Sequence, residues 1–309
     1  MARLDKADAG WWAYWTSQEP QMPTVVKATA IEATAIEATA TQPRLSAAQV
    51  ASFRREGYLR PRQQVFSPEK FAGLSAHFDQ LLAELPDGKR PEHMDVPHFV
   101  DLELFRWLLD DELLDLVEPL IGPDIALFSS HFICKPPGDG KRVPWHEDSA
   151  YWRGQFDPME VVTVWLAIDP SDAGNGAMKV IPGSHLGKGG YSEYDPVSDL
   201  ERSVFSTEIR STQFDAKKAV ICELERGQAS IHHAKTMHGS DANRSDRRRC
   251  GYTMRFVSTR CRWNPSANPT HQLYLARGRD HAGNVYGDPS RSAHGLAAAR
   301  AQANIKGGH

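Results

Sequence analysis

Three places in the 309-residue chain put a histidine two positions before an aspartate: His77–Asp79, His93–Asp95 and His146–Asp148. One imidazole and one carboxylate are two thirds of a 2-His-1-carboxylate set, which holds ferrous iron and leaves coordination positions open. Local context separates the three pairs. His77 and Asp79 lie in a stretch with helical spacing, where residues i and i+2 diverge by about 200°, so that pair cannot grip one ion. His93 and Asp95 sit in a proline-flanked polar run, Pro91 to Pro97, with no strand around it. His146 and Asp148 follow an extended apolar segment and the turn-rich Pro136-Pro137-Gly138-Asp139-Gly140. On a strand, i and i+2 share a face, so His146 and Asp148 can close on one cation while Glu147 points away.

A second histidine must come from elsewhere, and His185, His232, His233 and His238 are the downstream candidates. After His238 come Gly239-Ser240 and then a basic cluster, Arg244, Arg247, Arg248 and Arg249, with Arg249 opening a strand-like run. A dicarboxylate beside a metal needs a planar, permanently charged donor, a role arginine fills better than lysine. His238 with Arg249 therefore forms a meaningful pair, whereas Arg244, Arg247 and Arg248 read as a solvated hairpin loop. His232 and His233 alternate, so only one of them faces inward, and neither is favoured as a ligand. His185 closes a Pro-Gly-Ser-His turn and is either a supporting or a purely structural residue. His131 shares a strand face with Ile133 and Lys135. Tyr151 and Trp152 follow the His146–Asp148 pair closely enough to wall a site, and Trp165 reads as a core residue by alternation.

The elements that must position these residues change character along the chain. Residues 1–44, with two near-copies of Ala-Ile-Glu-Ala-Thr, are expected to be a poorly ordered extension, followed by a single domain over 45–309. Ser46 predicts an N-cap for a helix over Ala47–Glu56 stopped by Gly57, and Ser67-Pro68-Glu69 opens a second helix towards Leu85. Apolar spacing between Leu102 and Ile121 predicts one or two more. From Ile125 onward, β-branched and aromatic runs predict strands over Ile125–Lys135, Glu160–Ile168, Ala177–Ile181, Ala219–Leu224, Ala229–His233 and Gly251–Ser258. Helices first and strands afterwards argue for an α+β fold with a sandwich or barrel core. The segment after Trp263 reads as loop, with an Ala-rich helix near Leu296–Ala303.

Composition excludes several classes. Lys and Arg number 36 against 39 Asp and Glu, a net charge of −3, which offers no electrostatic footprint for nucleic acid or anionic membrane. No run reaches the roughly 18 apolar residues of a membrane span. Four cysteines without CxxC spacing suit reduced thiols, hence an expected cytoplasmic location. Nothing in the sequence specifies an oligomeric state.

Several stretches, in order, resemble the phytanoyl-CoA dioxygenase family of Fe(II)/2-oxoglutarate oxygenases, which includes ectoine hydroxylase. They are Lys135-Pro-Pro-Gly-Asp-Gly-Lys141, Val143-Pro-Trp-His146-Glu-Asp148 with Tyr151-Trp152, and Val164-Trp165-Leu-Ala-Ile168. Asn175-Gly-Ala-Met-Lys-Val-Ile-Pro-Gly-Ser-His185 and Met237-His238-Gly-Ser240 follow, with Arg249 eleven residues after His238. The resemblance runs from about Leu45 to Tyr286. It implies a double-stranded β-helix, or jelly-roll, core buttressed by N-terminal helices. It implies Fe(II) held by His146, Asp148 and His238, and 2-oxoglutarate held by Arg249 with support from the Ser240 hydroxyl, Lys135 and Trp165. His131, Tyr151 and Trp152 would then face a small-molecule substrate. The implied reaction consumes O2 and 2-oxoglutarate, releases succinate and carbon dioxide, and hydroxylates a C–H bond. Asp148 favours hydroxylation over halogenation, because related halogenases lack the carboxylate. The competing expectations are a metal-dependent hydrolase or isomerase on a cupin-like jelly roll, which has no need of Arg249, and a non-catalytic binding protein.

Overall fold

The computed structural model describes residues 44–86, 89–91, 94–187 and 191–307. All but the last residue of the expected 1–44 extension lies outside them, and so does His93 of the second histidine–aspartate pair. Helix α1 (Ala47–Glu56) starts on a capping box in which Ser46 and Gln49 satisfy each other's backbone, and stops at Gly57 in the left-handed region, φ 76°. A short strand β1 (Tyr58–Leu59) leads to α2 (Pro68–Ala83), capped by Ser67 with proline in its first turn. The apolar run after Leu102 becomes a short α3 (Phe105–Leu108) and then α4 (Asp111–Ile121), whose Leu113, Leu114, Leu116 and Val117 are buried.

The rest is mostly antiparallel strand. In chain order it comprises β2 (Ile125–Lys135), β3 (Val143–His146), a one-turn α5 (Asp148–Tyr151), β4 (Phe156–Asp157), β5 (Val161–Ala167) and β6 (Met178–Val180). Then come β7 (Tyr194–Pro196), β8 (Thr207–Ile209), β9 (Val220–Ile221), β10 (Ala229–His233), β11 (His238–Ser240) and β12 (Arg249–Ser258). Strands β13 (Arg262–Trp263) and β14 (Tyr274–Arg277) and a terminal α6 (His294–Gly307) complete the order. The six-stranded sheet runs β1-β10-β5-β12-β2-β14 and the four-stranded sheet β3-β11-β6-β9; β4 pairs β13 and β7 pairs β8. The α+β class expected from the sequence is therefore observed.

Two expectations are corrected. The segment after Trp263 is not all loop: β14 forms an edge of the large sheet, held by Arg277, which bonds Asp111, Asp115 and Glu118 of α4. Four residues are too few for alternation to register in the sequence, and this anchor is long-range. The Ala219–Leu224 strand shrinks to Val220–Ile221.

Alternation in the large sheet sorts side chains onto two faces. One carries Phe132, Cys134, Val162, Val164, Leu166, Ile231, Tyr252, Met254 and Phe256, which join Leu74 and Phe78 of α2 and Leu113 and Leu116 of α4 in the main core. The register pairs Arg249 with Lys135, Thr253 with His131 and Trp165, and Arg255 with Ser129 and Thr163, so these residues share the opposite face. His232 joins them through its pairing with Thr163. That face meets the four-stranded sheet, where the His232 ring lies 4.6 Å from that of His238, and Thr163 and Arg249 bond Asp148 and the Gly176 carbonyl just beyond its strands. Among the described residues, no helix is long and apolar enough to cross a membrane.

Candidate metal centre

His146 is the last residue of β3, and His238, the first of β11, pairs with it directly across the small sheet. Ninety-two positions of sequence separation thus collapse into one cross-strand neighbour pair, with ring centroids 4.0 Å apart. Asp148 was expected on the same strand as His146 but instead begins α5. The two still share a side because Glu147 between them stays extended, at φ −121° and ψ 132°. Glu147 is turned away as expected: its carboxylate accepts from the Ser192 backbone N–H at 2.7 Å, and its own N–H donates to the Tyr194 hydroxyl at 3.1 Å.

The two histidines are held alike. His146 Nδ1 donates to the Pro144 carbonyl at 2.8 Å and His238 Nδ1 to the Thr236 carbonyl at 2.9 Å. Each bond fixes a tautomer that leaves Nε2 with its lone pair free, the form that binds a metal. Those nitrogens lie 3.7 and 3.9 Å from Asp148 Oδ1. The separations are too long for hydrogen bonds, and all three ligand atoms fall within 4.8 Å of one another, close enough to share one cation. Burial pushes both imidazole pKa values down, that of His238 further because His146 and His232 adjoin it, so both rings are neutral donors. Burial alone would raise the Asp148 carboxyl, but Arg255 and the neighbouring histidines outweigh it and hold the group well below the usual range. Two neutral imidazoles and one buried carboxylate with no hydrogen-bonded cation fit a divalent metal.

The supports reach back into the fold. Thr236, whose carbonyl orients His238, donates its hydroxyl to the Gly57 carbonyl at 2.7 Å. A Cβ at Gly57 would meet the His185 ring at 2.3 Å and Thr236 Oγ1 at 2.7 Å, so the glycine that ends α1 also lets α1 approach the β10–β11 turn. His185 is structural: its Nε2 donates to the Arg54 carbonyl at 3.1 Å. His77 and Asp79, as expected, do not converge; His77 bonds Asp101 at 2.6 Å and Asp79 bonds Arg248 at 3.0 Å.

Arg249 lies on the same side of β12 as Arg255 and Thr253, 1% exposed. Its Nη2 and Nε donate to the Gly176 carbonyl at 2.8 and 3.2 Å, and its guanidinium stacks on Trp165, 5.0 Å from the ring centre. Trp165 fills the space a side chain at position 251 would take, since a Cβ on Gly251 would come within 2.1 Å of the indole. Lys135, opposite Arg249 in register, is buried and its Nζ donates to the Asp241 carbonyl. Ser240 is buried two residues beyond His238, paired with Met178. The guanidinium's own hydrogen bonds go to the carbonyls of Gly176 and Ile133. Arg248 points the other way, into Asp169 and Asp79, and Arg247 into Asp172.

On the other side of the metal centre, Tyr151 sits at 6.0 Å from the His146 ring and Trp152 packs edge-on against Phe128. His131 reaches Asp95 at 3.7 Å, and Asp95 bonds Arg300 of α6 at 2.6 Å. Three further residues adjoin the centre: His232, weighed from the sequence only as a disfavoured ligand, and Arg255 and Phe205, which were not singled out from the sequence. His232 has Nε2 3.7 Å from Asp148 Oδ2 and its ring 4.6 Å from that of His238. Arg255 has Nε 3.7 Å from the same oxygen, and Phe205 lies 4.9 Å from the His146 ring. A signal existed for Arg255, because it stands six residues after Arg249 and so on the same strand face.

Antiparallel sheets gathered around a His-Asp-His cluster, with a buried arginine at one side, define the class of cupin-like metal proteins. The comparisons place the chain more narrowly. Residues 53–251 match the family model described as phytanoyl-CoA dioxygenase, and the chain belongs to that family of Fe(II)/2-oxoglutarate oxygenases. It is 32% identical over 168 residues to the peroxisomal phytanoyl-CoA dioxygenase of Bos taurus, covering 53% of this chain and 48% of that protein. The chain thus spans about half the length of the curated relatives it matches first. It is also 24% identical to the ectoine dioxygenase of Bordetella parapertussis, over 72% of this chain and 78% of that one. The solved structure of the non-heme monooxygenase ThoJ superposes with a TM-score of 0.64 at 23% identity, over 83% of this chain and 94% of that one. That likeness carries the fold.

Proposed function

We propose that this protein is a non-haem dioxygenase that hydroxylates a C–H bond of a small molecule at the expense of O2 and 2-oxoglutarate, releasing succinate and carbon dioxide. The observation that carries the reading is the arrangement of His146, Asp148 and His238, with both Nδ1 atoms anchored on carbonyls and both Nε2 atoms turned to one carboxylate. These three residues would hold Fe(II), and the bound iron supplies the activation of dioxygen. In this reading the two sheets are the halves of a double-stranded β-helix, and residues 45–309 form one domain around it.

The protein's own contribution is position and exclusion of water. Arg249, buried on Trp165, has carbonyls rather than carboxylates as partners, so its charge is available to the distal carboxylate of 2-oxoglutarate. Lys135 and Ser240 flank the same end, and Ser240 follows His238 on one face of β11. His131, Tyr151 and Trp152 line the substrate side. A metal-dependent hydrolase would require the triad but give Arg249 no role.

Anaerobic titration of the Fe(II)-loaded protein with 2-oxoglutarate tests the proposal. A weak visible charge-transfer band that saturates, and that His146→Ala removes, is the expected result. Iron binding without any band would move the chain to another metal chemistry.

A further inference from the structure

Arg255 is a deeply set charge beside Asp148, and its hydrogen bonds do not account for it. Its side chain is 13% exposed. Arg142, Arg248 and Arg277, at 28%, 29% and 21%, each bond two or more carboxylates. Arg255 bonds none: Nη1 donates weakly to Ser129 Oγ at 3.3 Å, Nε has no hydrogen-bond partner, and Asp148 stays at 3.7 Å. The other carboxylate in this region, Asp95, is taken by Arg300 at 2.6 and 2.8 Å. One face of the guanidinium is held by Trp152, 5.3 Å from the ring centre, which fixes the plane of its donors near Asp148.

Charge balance gives this arrangement a direction. A divalent iron and Arg249 together carry the positive charge that Asp148 and the two carboxylates of 2-oxoglutarate cancel. Lys135 stands at the far end of the same strand pair, against Asp241. The charge of Arg255 would then remain beside the metal centre, with Nε buried and without a hydrogen-bond partner. Such a group is costly unless an anion completes it.

We propose that Arg255, oriented by Trp152 and Ser129, is the specificity-determining residue for an anionic substrate, one that carries a carboxylate a few bonds from the carbon to be oxidised. This rests on the proposed function above. A carboxylate matches the planar guanidinium fork, and anchoring it within reach of Asp148 sets the neighbouring C–H bonds next to the iron. Tyr151 and Phe205, with ring centroids 5.2 Å apart, form an aromatic wall for the uncharged remainder of the substrate.

The test uses the full chain loaded anaerobically with Fe(II) and saturated with 2-oxoglutarate, so that Arg249 is already occupied. A fragment set of matched pairs, each a small carboxylic acid and its primary amide, is screened by ligand-observed NMR and by thermal shift. The expected result is selection of acids over amides by about tenfold or more in affinity, the scale of a charge-assisted pair. That selection should vanish in Arg255→Gln and return in part in Arg255→Lys, with the ferrous–2-oxoglutarate band intact in both. Absence of acid selection in the wild type overturns the proposal and needs no variant. Selection that survives Arg255→Gln overturns it too, as does loss of the band in that variant, which would assign the guanidinium to the metal or cosubstrate. Failure of the band in the wild type would instead strike the proposed function, and the NMR screen reads acid selection independently of it.

Discussion

Along β12, Cys250, Tyr252, Met254 and Phe256 are fully buried against the helices, while Arg249 and Thr253 on the other face are nearly as buried against the small sheet. Burial therefore does not distinguish the two sides of this strand; what the buried atoms meet does. Behind the sheet, Phe132 stacks on Tyr252 at 4.1 Å and tilts onto Phe78 at 4.8 Å, contacts that contribute to stability only. In front of it, Arg249 rests on Trp165 and Arg255 on Trp152, so aromatic rings there orient charges. The histidines divide in the same way. His98 behind the sheet lies among Phe99, Phe105 and Tyr274, and burial pushes it down to about 3. His146 and His238 in front are also kept neutral by burial, but they surround a carboxylate. One layer of backbone separates a packing surface from a chemical one.

The sharpest way to break this comparison is to damage each face and read both stability and binding. Phe132→Ala should cost roughly 3–5 kcal/mol in urea unfolding, the usual range for a buried aromatic, while leaving metal affinity in the folded fraction unchanged. His146→Ala should weaken iron binding by at least about a hundredfold, measured by metal content after dialysis, with little loss of stability in the metal-free protein. His93→Ala should match wild type in both measurements; an equal loss there would undo the choice among the three histidine–aspartate pairs. Arg249→Ala should raise the 2-oxoglutarate concentration needed for half-saturation by about ten- to a hundredfold with iron still bound. Arg248→Ala should leave that requirement near wild type, because its side chain is engaged with Asp169 on the far side.

A pH dependence of stability is also expected, from His98 and His271. His98 and His271 have folded-state values near 3 against an ordinary 6.5, so below 6.5 the unfolded chain takes up protons that the folded chain refuses. Their contribution to stability is complete above pH 6.5 and is lost as pH falls towards 3. Between pH 7 and pH 5 each should cost about 2 kcal/mol. In metal-free protein, His98→Gln should therefore lose about that much less over this interval by urea titration. An unchanged slope would mean that His98 is not sealed from solvent.

Much of this was legible in the chain. The capping signals at Ser46 and Ser67 and the strands Ile125–Lys135 and Ala229–His233 reproduce the observed elements closely, because each depends on neighbours within a turn or on simple alternation. Motif order pointed to His146, Asp148 and His238, and the structure brings those three together. Less visible were the short strands β3, β11 and β14, whose three or four residues have no periodicity to detect. Nor does the chain read locally show that the Gly176 carbonyl takes the Arg249 guanidinium, a contact that joins residues far apart in sequence.

Residue chemistry, helix boundaries and the inward alternation of Arg249 and Arg255 follow from the chain read locally, since capping, propensity and a two-residue repeat are short-range. Which histidine completes the cluster, whether His232 stands beside Asp148, and which arginine lies beside that carboxylate follow from cross-strand register and the meeting of two sheets. Such contacts join positions as far apart as His146 and His238, 92 residues, and further, and no local rule specifies which rows face each other until the sheets have packed.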